Sequence, residues 1–95
     1  MHIDPVRFRA VVRYWDPTKG SGLAVADIPG EDIAKIGGLK QQRVHGTFGG
    51  EPFTSNVMPA GGGRLALSVT RAMLKAAGID VGESADVELS AVGRD

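Results

Sequence analysis

Hydrophobic and polar positions alternate most cleanly between Arg43 and Pro59, RVHGTFGGEPFTSNVMP. Val44, Gly46 and Phe48 fall to one side and Arg43, His45 and Thr47 to the other, the period of two expected of a half-buried strand. The pattern then repeats, with Phe53, Ser55 and Val57 set against Thr54, Asn56 and Met58. Between the two runs, Gly49 and Gly50 supply the positive backbone angles of a tight turn. A β-hairpin folded about Phe48-Gly49-Gly50-Glu51 is therefore predicted as the centre of the fold.

The same reading extends in both directions. Val6 to Trp15 sets Val6, Phe8, Ala10 and Val12 against Arg7, Arg9, Val11 and Arg13, a strand with one apolar and one largely basic face. The turn-forming residues of 16–22 interrupt it as a mobile hairpin loop, and Leu23 to Ile28 resumes as a short strand before Pro29 and Gly30. Residues 31–37 hold Ile33 and Ile36 at helical spacing behind two acidic residues and end on glycines, so a short helix is expected there. Ala60-Gly61-Gly62-Gly63 reads as a flexible loop. Leu65, Leu67 and Val69 alternate with Ala66 and Ser68 in a further strand. Thr70 is placed to cap a second helix over 71–77, closed by Gly78. Ala85, Val87, Leu89 and Ala91 mark the last strand.

The predicted fold class is mainly β: residues 1–95 as one domain, a small six-stranded antiparallel barrel with two short helices, about 31–37 and 71–77. A barrel is the economical way to remove the edges of so many short strands. Its inner face is expected from Phe8, Val12, Val44, Phe48, Phe53, Val57, Leu65, Leu67, Val69, Val87 and Leu89. Of the adjacent aromatics Tyr14 and Trp15 one must point inward, and Trp15 is the expected core residue.

Composition narrows the function by exclusion. Hydrophobic content of 42% with 23% charged residues is ordinary for a globular chain, and no apolar run approaches the ~20 residues of a membrane span. The charged N-terminal stretch lacks the apolar core of an export signal, so the cytoplasm is expected. With no cysteine there is no disulfide framework, thiolate metal site or cysteine nucleophile. Eleven basic residues balance eleven acidic ones and are scattered, which disfavours nucleic acid as a partner.

Candidate chemistry is sparse. His2 and His45 stand at no metal-ligand spacing, and no metal or cofactor is expected. His45 reads first as an ordinary strand position. Gly49-Gly50 and Gly61-Gly62-Gly63 lack the Lys-Ser/Thr ending of a phosphate loop and read as turns. Ser68 and Thr70 have no base nearby in sequence and no nucleophile elbow around them. A polar set stands out instead. If register brings Arg43 and His45 onto the face of Thr54 and Asn56, with Arg64 close by, the patch would suit a small anionic ligand.

Several motifs in the same order carry a resemblance over nearly the whole chain. They are Tyr14-Trp15, the Ala26-Asp27-Ile28-Pro29 step, Val44 through Ser55, Pro59 with its glycines, and Ala72 through Val87. In these the chain resembles the bacterial family called domain of unknown function 1905, which often precedes a domain associated with bacteriocin protection. The resemblance implies a small β-barrel with short helices and no assigned activity. Phe48 stands where the family usually has Asn, and Gly82-Glu83 where it has Gly-Asp. A partial resemblance, Leu65 to Leu89, is to swapped-hairpin transition-state regulators and antitoxins, which bind DNA as dimers. Here, however, Arg64, Arg71 and Lys75 face Asp80, Glu83, Asp86 and Glu88. The expected function is a non-enzymatic binding or protein-interaction module; the alternative is a small-ligand-binding or catalytic barrel using Arg43, His45, Thr54 and Asn56, and a DNA-binding swapped-hairpin dimer comes third, disfavoured by the neutral charge. The module is expected to be a homodimer, because a small chain leaves strand edges and apolar surface to cover.

Overall fold

The computed structural model of the chain describes residues 5–16, 18, 23–36 and 38–92. Eight elements follow one another: β1 (Val6–Tyr14), β2 (Ala24–Ile28), α1 (Gly30–Ile36), β3 (Gln42–Phe48), β4 (Glu51–Gly61), β5 (Arg64–Val69), α2 (Arg71–Ala77) and β6 (Ser84–Ala91). The strands form a closed barrel in the order β1-β2-β5-β4-β3-β6, and every pairing is antiparallel. The mainly β barrel with two helices is thus the one the alternation predicts. His2, the tail 93–95 and most of the expected loop at 16–22 lie outside the described residues.

The central hairpin is set by its turn. Phe48 lies opposite Glu51, and Gly49 and Gly50 between them have φ of 58° and 87°. Both central residues left-handed is the two-residue hairpin turn whose twist matches that of the strands. The run 60–63, expected as a flexible loop, repeats this solution. β4 continues to Gly61 opposite Arg64, and Gly62 and Gly63 turn the chain with φ of 61° and 76°. A register shift between Pro59 and Gly61 lets the strand pass the proline, which has no N–H to give to the ladder.

Inward side chains from all six strands join one apolar cluster, with Val12, Val44, Phe48, Val57, Leu65, Leu67 and Leu89 fully shielded from solvent. Phe8 is half-buried against it. The helices close the ends. Ile36 of α1 belongs to the cluster and Ile33 packs on it. At the other end Met73, Leu74 and Ala77 of α2 do the same, joined by Ile79 and Val81. α2 is fixed locally: the Thr70 hydroxyl accepts from the Met73 N–H at 3.1 Å, and Gly78 is left-handed at φ 68°. The N–H groups of Gly78 and Ile79 donate back to the Lys75 and Leu74 carbonyls, which satisfies the last turn. Trp15 corrects the expectation of a core tryptophan. Tyr14, opposite Ala24, takes the inward direction half-buried, and Trp15 is an exposed side chain.

Candidate functional site

The inward positions are mostly filled by the apolar core, with the buried Ser55 donating to the Ser68 carbonyl at 2.7 Å, and the larger polar set lies on the outer wall. On β3 the outward residues are Arg43, His45 and Thr47, and on β4 Thr54 and Asn56. Register pairs them directly: Arg43 lies opposite Asn56 and His45 opposite Thr54. The four residues singled out from the sequence therefore share one face, with Arg43, His45 and Thr54 exposed and Asn56 half-buried. On its other side β3 meets β6, where His45 lies opposite Ser90 and Thr47 opposite Glu88. Ser90 extends the set by a hydroxyl that the sequence reading passed over, although the alternation of β6 already put it outward. Arg64 stands apart. It begins β5 beside the second turn, its Nε donating to the Gly61 carbonyl at 3.4 Å, and its charge acts on Asp27.

The arginines of the wall divide by partner. Arg7 pairs with Glu88 at 3.1 Å and Arg9 with Asp86 at 3.6 Å, both across the β1–β6 ladder. Arg13 grips Asp27 in a two-pronged pair, Nε to Oδ2 at 2.8 Å and the second guanidinium nitrogen to Oδ1 at 2.9 Å. This hydrogen bonding holds the Asp27 carboxyl below its ordinary value, against partial desolvation and aided by the charges of Arg13 and Arg64. It raises Arg13 in return. Among the described residues Arg43 pairs with no carboxylate.

A groove of about 720 Å³ runs along the wall beside this set. It forms where β6 continues past the end of β3, whose turn makes a last contact from the Gly49 N–H to the Asp86 carbonyl at 2.8 Å. Phe8, Val87 and Ile79 give it apolar lining, and the Arg7–Glu88 and Arg9–Asp86 pairs give it charged margins. Thr47 borders both the groove and the donor set. Sequence reasoning missed the groove because its walls come from β1, β6 and the β3–β4 turn, which no local pattern joins.

Fold and surface together define a small closed antiparallel barrel, capped at both ends, with its candidate polar set on the outer wall. The chain belongs to the family described as Domain of unknown function (DUF1905), which it matches over residues 8–89, a span from Phe8 in β1 to Leu89 in β6. No curated protein matches it. Among the described residues no helix is long and apolar enough to cross a membrane.

Proposed function

We propose that the domain is a binding module rather than a catalyst, and that it takes a segment of a partner protein into the groove between β1, β6 and the β3–β4 turn. The observation that carries this reading is where the concavity lies. One apolar cluster fills the barrel from α1 to α2, and the groove opens widely to solvent at its margin, where Phe8, Ile79 and Val87 of that cluster form its floor. Pockets for small molecules usually enclose most of their ligand, and an open trough suits an extended chain better. The half-buried Phe8 and Ile79 have apolar surface left to cover. The flanking ion pairs are exposed and hold their charges weakly in water, so a partner's charged side chains can exchange into them at little cost.

Photocrosslinking tests the proposal. A benzoylphenylalanine in place of Thr47, at the margin of the groove, is expected to give one discrete adduct on irradiation in cells. The same residue in place of Ala76, exposed on α2, is expected to give none. Arg9→Glu, which sets two acids against each other at the margin, should lower the adduct several-fold without unfolding the domain. Equal labelling from both positions, or indifference to Arg9→Glu, would remove the groove from consideration.

A further inference from the structure

We propose that the outer wall of β4, β3 and β6 binds a small molecule through a phosphate or carboxylate group, with Arg43 as the anchor and His45, Thr54, Asn56 and Ser90 as companion donors. This surface lies beside the groove and stands on separate observations.

Four arginines project from the outer sides of β1 and β3. Arg7, Arg9 and Arg13 each have a carboxylate across the sheet, Glu88, Asp86 and Asp27 respectively. Arg43 has none among the described residues, so its guanidinium is the one in this series whose charge the wall leaves unanswered. Its neighbours are all capable donors: Asn56 directly opposite, then Thr54 and Ser90 on either side of His45. Side chains directly opposite in an antiparallel sheet stand roughly 5 Å apart and diagonal ones roughly 7 to 8 Å, so the long Arg43 side chain can meet an oxyanion together with Asn56 and the His45–Thr54 pair, while Ser90, across β3 from them, borders the same site. Among the described residues no acid interrupts them. The nearest in register, Glu88, is one row away opposite Thr47 and is held by Arg7 at 3.1 Å.

Arginine suits the anchoring role because its planar fork matches two oxygens of a phosphate or carboxylate at once. The exposed Val92, whose N–H donates to the Arg43 carbonyl, and the half-buried Met58 beside Asn56 offer apolar contact to the remainder of the ligand. The wall is open, so a bare anion should bind only weakly, with a dissociation constant on the order of millimolar.

Inorganic phosphate and succinate, each titrated into ¹⁵N-labelled protein at constant ionic strength, are the probes. Saturable shifts are expected at residues 43–45, 54–56 and 90, with binding about tenfold weaker in Arg43→Gln and unchanged in Arg9→Gln. Should Arg43→Gln disturb the fold, Asn56→Asp, which places a like charge beside the anion, provides the same loss by another route. Saturation by phosphate alone assigns a phosphate ligand, and saturation by succinate alone or by both assigns the carboxylate-compatible form. Shifts that fail to saturate, that spread over all the basic residues, or that persist in the Arg43 and Asn56 variants would overturn the proposal. The groove would survive that outcome, since phosphate does not probe it.

Discussion

Gly46 sits where β3 is squeezed between β4 and β6, opposite Phe53 on one side and Leu89 on the other. A Cβ built there would overlap the Glu88 carbonyl, and that atom belongs to the backbone of the next strand, which cannot swing aside as a side chain could. Gly46→Ala is therefore expected to cost about 3 kcal/mol or more, a large share of the stability of so small a domain. Gly50 makes the comparison. A Cβ there meets nothing within 4 Å, and only its φ of 87° stands against a side chain, so Gly50→Ala should cost roughly 1 kcal/mol. Urea unfolding of the two variants checks the difference. Equal losses would mean that β6 does not press on β3 as described. The sequence marks Gly46 only as a small residue on the inward side of a strand. Its reason for being glycine comes from a strand some forty positions later, which no local pattern announces.

Between elements, the Arg13–Asp27 pair ties β1 to β2 beyond their ladder. Val12 lies opposite Ala26, which places Asp27 diagonally within reach of Arg13. Because the folded state holds Asp27 below the ordinary 3.8, the unfolded chain takes up its proton more readily. The pair's stabilisation is thus complete above the ordinary carboxylate value and fades as pH falls through the lower folded one. Both side chains keep over a third of their surface in solvent, at 36% and 41%, so the contribution should be under about 1 kcal/mol. Asp27→Asn is expected to be less stable than the parent at pH 7, with the gap closing as pH drops below the ordinary carboxylate value. Urea midpoints at several pH values measure it, and a gap independent of pH would assign the loss to packing. The pair also shows what the sequence left hidden. Period-two alternation and paired glycines made the strands, the first turn and both helices legible, because each signal is local. Ala60 to Gly63 read as a flexible loop, whereas a register shift and a second tight turn absorb them. The joining of β2 to β5, and of β6 to both β1 and β3, has no signature of that kind. The Arg13–Asp27 pair, the addition of Ser90 to the donor set, and the groove all depend on such joins or on register.

For the molecule as a whole, closure of the barrel answers within one chain the strand edges that gave one ground for expecting a homodimer. The other ground, apolar surface, lies partly at Leu39 and Val92 but is concentrated at Val11, Trp15 and Leu23, exposed at 53%, 39% and 44% around the end of the β1–β2 hairpin. A second copy, if it forms, is expected to bury these side chains. Analytical ultracentrifugation should then find an association that weakens on dilution and is abolished by Trp15→Ser. A parent protein that sediments as a single chain at high concentration would end that expectation. The strand order has a further consequence, in time rather than in space. β6 is hydrogen-bonded to β1, the first of the six barrel strands to be made, and to β3, yet it is the last of the six to leave the ribosome. Until Ala91 emerges, the five earlier strands can form only an open sheet with its apolar face and two margins uncovered. The nascent domain must carry that unfinished sheet until its sixth strand arrives, so the interval before Ala91 emerges is when this barrel is most exposed to mispairing.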